Sequence, residues 1–267
     1  MSGQSEACEV WKHQRGAGLS RASDEVAREE PLEIRVAGRA VSVTMRTPGH
    51  DEELALGFLL GEGVIARAGD VEHVRRCDQS RGDVIDVLVA PSVAVDMARL
   101  TRHVFASSSC GVCGAATIDA VRKRFPPVKA GPQVRADVLL SLTDQLRAEQ
   151  GGFDRTGGLH AAGLFQRSGR LVVAREDVGR HNAVDKVIGW ALREGLLPLS
   201  SLVLMVSGRA SFEIVQKALG AGIPMVAAVS APSSLAVDLA GEANMTLVGF
   251  LRPDRFNVYT HHDRVLA

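Results

Sequence analysis

The sequence predicts an α/β protein with an α+β N-terminal part, and three observations predict it. From residue 157 onward a short apolar run, a polar loop and an amphipathic stretch follow one another three times. The apolar runs, Leu202 to Val206 among them, are near-continuous, as strands buried on both faces of a sheet require. Before residue 150 the pattern is mixed, with alternating strands, separate helical periods and no internal repeat. The chain is therefore read as a polar tail over 1–28, an α+β part over 29–150 and an α/β part over 151–267.

Residues 1–28 are polar and lack periodicity, which predicts a mobile tail. From Leu32 the chain alternates through Glu33, Ile34, Arg35 and Val36, turns at Gly38-Arg39 and alternates again from Val41 to Met45, the pattern of a hairpin. Thr47-Pro48-Gly49 stops it. A helix then opens on Asp51, Glu52 and Glu53, acids that favour the positive end of the helix dipole, with Leu54, Phe58 and Leu59 behind them. Gly61 and Gly63 end it. Val84 to Val89 reads as a strand and Val95 to Leu100 as a short helix. A further helix begins near Asp137, carries Val138, Leu139, Leu142 and Leu146 on one face, and is closed by Gly151-Gly152.

In the last part Leu171 to Ala174, Leu202 to Val206 and Met225 to Val229 are predicted strands. Helices follow them over His181 to Glu194, Ser211 to Leu219 and Ser233 to Ala243, and Thr246 to Phe250 and Asn257 to Thr260 are two last strands. At least three strands are expected to be parallel, with helices covering both faces.

Charge and composition exclude several functions. The 267 residues carry 31 Lys+Arg against 31 Asp+Glu, a net charge of zero that argues against a general nucleic-acid or anionic-membrane surface. Aromatics are 4%, with Tyr259 the only tyrosine, so material for base stacking is scarce. No apolar run approaches the roughly 18 residues of a membrane span and the first residues hold no leader, so a cytoplasmic protein is expected. Cys8, Cys77, Cys110 and Cys113 are too sparse for a disulfide framework, and in a reducing compartment a Cys-x-x-Cys pair points to chemistry or metal.

The sharpest motif is Ser107-Ser108-Ser109-Cys110-Gly111-Val112-Cys113-Gly114, followed by helical character from Ala115 to Phe125. Cysteines at a helix opening face unpaired N–H groups and the positive dipole end, which favour thiolate over thiol. Three readings compete. A structural zinc needs four ligands and no second pair exists. His50-Asp51-Glu52 with a later Cys-x-x-Cys imitates the zinc deaminase signature, yet Ser109 stands where that signature has Pro, and Glu52 is better explained as a helix-start acid. A thioredoxin-like redox pair belongs after the first strand of a small βαβ domain. The third reading is a sulfur or acyl carrier, in which one thiolate takes up a group and the second assists its release.

A second cluster, Arg175-Glu176-Asp177-Val178-Gly179-Arg180-His181-Asn182, joins a strand to a helix, at the strand end where α/β sheets bind ligands. Its charges exceed what a connector needs, the alternative being a solvated ion-pair loop, and Asp185, one turn after His181, could orient the imidazole. The next loop, Ser207-Gly208-Arg209-Ala210-Ser211, offers hydroxyls, an arginine and free N–H groups for phosphate without P-loop spacing. Ser230-Ala231-Pro232-Ser233-Ser234 repeats its small polar character. Together the three loops favour an extended, phosphate-bearing ligand. His160, among small residues, is either a satisfied core histidine or faces the cysteine loop. Phe250-Leu251-Arg252-Pro253-Asp254-Arg255 adds two guanidiniums, well matched to phosphate, or forms a solvated turn.

As a set, Asp51 to Ile65, Ser108 to Gly114, Gly157 to Phe165, Arg175 to Gly189, Ser207 to Ile223 and the tail from Gly249 to His261 resemble the FdhD family of formate dehydrogenase accessory sulfurtransferases. The resemblance spans roughly residues 30–263. It implies a cytoplasmic protein that accepts sulfane sulfur from a cysteine desulfurase and passes it to the molybdenum (or tungsten) bis(molybdopterin guanine dinucleotide) cofactor of formate dehydrogenase. Cys110 maps to the persulfide-carrying position, with Cys113 as its partner in release. Phe250, Leu251, Arg252, Pro253, Asp254 and Arg255 map to the cofactor-binding stretch, and Arg180, His181, Ser207, Gly208 and Arg209 would line the same crevice. A homodimer and a three-layer C-terminal domain resembling the cytidine deaminase fold, without zinc, are also implied. The alternatives are a cofactor-binding chaperone that carries no sulfur and a zinc-dependent deaminase.

Overall fold

The computed structural model describes residues 3–79, 82–96, 124–129 and 131–267. Cys110 and Cys113, and most of the helices predicted over 95–100 and 115–125, lie outside these residues.

The expected polar tail is instead a ribbon. β1 (Ser5–Gln14) and β2 (Gly18–Ala27) pair antiparallel in full register. Both faces are largely exposed, with Trp11 66% accessible, so no apolar alternation marks the strands in the sequence. Cross-strand ion pairs, Arg21 with Glu9 at 3.1 Å and Lys12 with Asp24 at 3.5 Å, take the place of a buried face.

β3 (Glu30–Val36) and β4 (Arg39–Arg46) form the predicted hairpin, and β5 (Val71–Gln79) and β6 (Gly82–Val89) complete a sheet in the order β4-β3-β6-β5. Leu32, Ile34, Val36, Ile85 and Val87 are buried and join the core of α1 (Asp51–Gly61). β5 is an edge strand rich in charge, which is why apolar periodicity missed it.

A two-stranded parallel pair, β7 (Val134–Arg135) with β14 (Val265–Leu266), borders the second half. There, α2 (Ala136–Ala148), α3 (Gly151–Thr156), β8 (His160–Gln166), β9 (Leu171–Asp177), α4 (Arg180–Arg193), β10 (Leu202–Val206), α5 (Phe212–Gly220), β11 (Met225–Ala228), α6 (Ser234–Glu242), β12 (Thr246–Gly249) and β13 (Asn257–Thr260) follow in order. The sheet order is β13-β12-β11-β10-β8-β9. β10, β11 and β12 are mutually parallel. β8 was not expected, and it lies antiparallel between β9 and β10, so the parallel trio does not start at Leu171. Its Ala161, Ala162 and Gly163 carry little of the β-branched or aromatic bulk by which strands are recognised.

Alternation along β10 divides the two faces. Leu202, Leu204 and Val206 join the core with α4, α5 and α6, while Val203 and Met205 join Leu139, Leu142 and Leu146 of α2. The first of these cores continues through α1 into Leu32 and Ile34, so the part before residue 150 and the part after it share apolar packing.

Helices α1 and α4 touch backbone to backbone. A Cβ on Gly57 would sit 1.9 Å from the Asp185 carbonyl oxygen, and one on Gly189 would sit 1.8 Å from the Glu53 carbonyl oxygen. Only glycine permits this approach. Gly151-Gly152 opens α3 rather than closing α2, because the N–H groups of Gly152 and Phe153 both donate to the Glu176 carboxylate at 2.8 Å.

Candidate functional site

β9 and β10 flank the antiparallel β8 and so run the same way, as do β11 and β12. The carboxyl ends of all four strands, and the start of β8 at His160, therefore lie along one edge. This is the edge at which open α/β sheets bind ligands.

Most charges of the Arg175–Asn182 motif and its helix are occupied in holding that edge to the N-terminal sheet. Asp177, fully buried, pairs with the equally buried Lys186 at 2.7 Å. It also accepts from the Thr47 N–H at 3.1 Å, the Gly179 N–H at 2.8 Å and the Asn182 amide at 2.9 Å. Lys186 donates in addition to the Thr47 carbonyl at 2.9 Å. Arg175 grips Glu53 through two hydrogen bonds of 2.7 and 3.0 Å. Burial works against the Glu53 charge, but hydrogen bonds from His50 and Arg175 outweigh it and hold the carboxyl down at about 2. Asp185 does not orient His181. It bonds Lys217 at 2.7 and 2.8 Å and so ties α4 to α5.

Arg180 and His181 are the members of the motif left facing the edge. Arg180 opens α4, and its Nε is buried with no hydrogen-bond partner among the described residues. A cation at the positive end of a 14-residue helix is unfavourably placed unless an anion joins it. His181 Nε2 lies 3.1 Å from Ser211 Oγ. Burial, and then the charges of Lys217 and Arg180, push its imidazole down to about 4, so it is neutral at pH 7.

The three loops are zipped into one rim. Val229 N–H donates to Val206 O at 3.0 Å, Ser230 N–H to Gly208 O at 3.2 Å, Ser233 N–H to Ala210 O at 3.0 Å and Phe250 N–H to Ser230 O at 3.2 Å. Ser207 Oγ accepts from the Ala161 N–H at 2.9 Å, and Ser233 Oγ caps α6 by accepting from Ala236 N–H at 3.3 Å. Arg209 is exposed on the rim. Within the Phe250–Arg255 stretch the residues part company. Leu251 is fully buried, Phe250 is exposed with a left-handed φ of 52°, and Pro253, Asp254 and Arg255 are exposed. Arg252 donates to the carbonyls of Val229 and Leu251, and Arg255 pairs with Asp254 at 3.1 Å.

Two cavities open along this edge. One of about 530 Å³ is walled by Arg147, Gln150, Phe153, His160, Ser207, Leu251 and Arg252, with the Arg147 guanidinium 5.0 Å over the Phe153 ring. The other, of about 300 Å³, is lined by Phe250, Arg252, Arg255 and Asn257. The α2 and α3 contributions were not anticipated, because α2 shows only an amphipathic stripe in the sequence. The His160 imidazole is half-buried, lines the larger cavity and makes no hydrogen bond to another described residue.

Glu52 and His50 have other partners than a metal. Glu52 pairs with Arg193 at 3.5 Å and His50 with Glu53 at 3.2 Å. Among the described residues no group of three or more His, Cys, Asp or Glu is placed to hold a metal ion, and no helix is long and apolar enough to cross a membrane.

The fold and this edge define an open-sheet α/β protein with a rigid polar rim, arginines and helix N-termini at the carboxyl ends of its strands. The chain belongs to the FdhD/NarQ family, whose model matches residues 27–266. It is 53% identical over 264 residues to the sulfur carrier protein FdhD of Streptomyces coelicolor, covering 94% of this chain and 92% of that one. It is 55% identical over 251 residues to the protein of the same name from Mycobacterium tuberculosis, covering 90% and 91%. A crystal structure of a candidate formate dehydrogenase accessory protein from Desulfotalea psychrophila superimposes with a TM-score of 0.80 at 27% identity, covering 98% of this chain and all of that one.

Proposed function

We propose that this chain is a cytoplasmic sulfur carrier for formate dehydrogenase. It accepts sulfane sulfur from a cysteine desulfurase as a persulfide on Cys110 and delivers it to the molybdenum bis(molybdopterin guanine dinucleotide) cofactor, which it binds as substrate. The observation that carries the reading is the Cys110-Gly-Val-Cys113 pair in a chain 53% identical to a protein named a sulfur carrier.

The transfer balances as two exchanges. The Cys110 thiolate attacks the outer sulfur of the desulfurase persulfide; the S–S bond breaks, Cys110 holds the persulfide and the desulfurase leaves as thiolate. The Cys113 thiolate then attacks the inner sulfur of Cys110, forming a Cys110–Cys113 disulfide and releasing the outer sulfur as hydrosulfide to the cofactor. A dithiol reductant returns the pair to thiols. The thiolate is the attacking form in both exchanges.

The rim suits the dinucleotide half of that substrate. Arg180, Arg209, Arg252 and Arg255 supply guanidiniums, Gly208 and the helix N-termini let phosphate oxygens approach backbone N–H groups, and neutral His181 serves as donor or acceptor. In this reading the C-terminal layers are a cytidine deaminase-like fold without zinc, supported by the ion pairs that occupy His50 and Glu52. The working form is a homodimer.

The test is complementation. In cells lacking the chain, Cys110→Ala should leave formate dehydrogenase inactive while still binding GDP. Full activity with Cys110→Ala would instead assign the role of a cofactor-holding chaperone.

A further inference from the structure

We propose that His160 is a ligand-contacting residue of the rim and takes up a proton when a pyrophosphate diester docks between Gly208 and Arg180. The inference rests on the nucleotide-binding half of the proposed function and adds to it a residue and a proton.

The geometry comes first. His160 begins β8 at the edge where β9 to β12 end, and it lines the cavity of about 530 Å³ together with Ser207 and Arg252. Its Nδ1 lies 3.5 Å from where a Cβ on Gly208 would stand, and the Arg180 Cβ lies 3.8 Å from the same point. A ligand that reaches the Gly208 backbone therefore meets both side chains. Neither imidazole nitrogen is engaged by another described residue, and the Arg180 Nε is buried and without a hydrogen-bond partner among the described residues. A half-buried imidazole and a guanidinium N–H, unpartnered among the described residues and carried by the two side chains that flank Gly208, form a donor set for an anion.

The charges around His160 explain why the proton arrives with the ligand. Asp177 and Arg180 face it from β9 and α4, His181 on α4 also interacts with it electrostatically, and Asp144, Arg147 and Arg252 line the same cavity. Asp177 is held by Lys186, and Arg147 by Asp154. Burial and the Arg180 charge keep the imidazole below its ordinary value, with Asp177 only partly opposing them. An anion on Arg180 cancels that repulsion and adds attraction, so the bound state favours imidazolium. His181 stays neutral, because burial and the Lys217 charge, which do not depend on the anion, hold it down against Glu213 at 3.8 Å.

GDP-mannose is the probe, because its pyrophosphate is a diester whose charge is constant across the range studied. Titration calorimetry of the full chain in buffers of unlike ionisation enthalpy should show proton uptake on binding, with affinity about fivefold tighter near pH 6 than near pH 8. His160→Gln should still bind and lose both the uptake and the slope. Binding by the natural chain with no buffer dependence overturns the inference and leaves nucleotide binding standing, as does a slope that survives in His160→Gln. No GDP-mannose binding at all overturns this inference and the nucleotide-binding half of the proposed function together.

Discussion

Glu53→Gln isolates the bond that joins the N-terminal helix to the end of β9. The carboxylate is 93% buried by side-chain area, with 7% accessible, and holds His50 at 3.2 Å and Arg175 at 2.7 Å. Its pKa falls from 4.5 to about 2 because these hydrogen bonds outweigh the cost of burial. A folded pKa below the unfolded value means that the unfolded chain binds more protons. The stabilisation is therefore fully present above the unfolded value and is lost as pH falls through the folded one. About 2.5 pH units correspond to about 3 kcal/mol at pH 7, falling to roughly half that near pH 3. Urea unfolding of both proteins at the two pH values measures it. A gap between natural chain and variant that does not narrow on acidification, or one below about 0.5 kcal/mol at pH 7, would refute the assignment of Glu53 as a charged latch.

Three further outcomes follow from the same packing. Gly57→Ala should lower stability by about 3 kcal/mol or more, since its Cβ meets the Asp185 backbone, which has no rotamer by which to yield; thermal unfolding reads this, and an unchanged midpoint contradicts the close helix crossing. Lys186→Met should cost about 3–5 kcal/mol by leaving Asp177 buried and unpaired, and double substitution with Asp177→Asn should recover part of it. Arg180→Ala should weaken GDP-mannose binding about tenfold or more, the value of a charge-assisted hydrogen bond, without lowering urea stability, because its Nε has no hydrogen-bond partner among the described residues; unaltered affinity removes Arg180 from the site.

The elements that were legible in the sequence are those with one buried face. α4 announces itself through Val184, Val187, Ile188, Ala191 and Leu192, all of them buried, and β10 through five consecutive apolar residues. Elements without such a face were silent. β1 and β2 are exposed on both sides, and β8 is built at its start from Ala161, Ala162 and Gly163, whose burial depends on neighbours distant in sequence. The same limit applies to the site. Loop position identified Arg180, His181 and Ser207 to Arg209 as one edge, but which charges are free is a matter of partners: Arg175, Asp177 and Asp185 are occupied by Glu53, Lys186 and Lys217. Arg147 reaches the cavity because α2 packs on the opposite face of the sheet from α4, and Phe153 stands beside it on the helix that follows.

Sulfur on Cys110 is the central claim, and intact-mass analysis tests it most directly. After incubation with a cysteine desulfurase and cysteine, the natural chain should gain about 32 Da, a gain removed by reductant and absent in Cys110→Ala. A chain that gains no mass under these conditions, or a Cys110→Ala variant that gains as much as the natural protein, would contradict the claim.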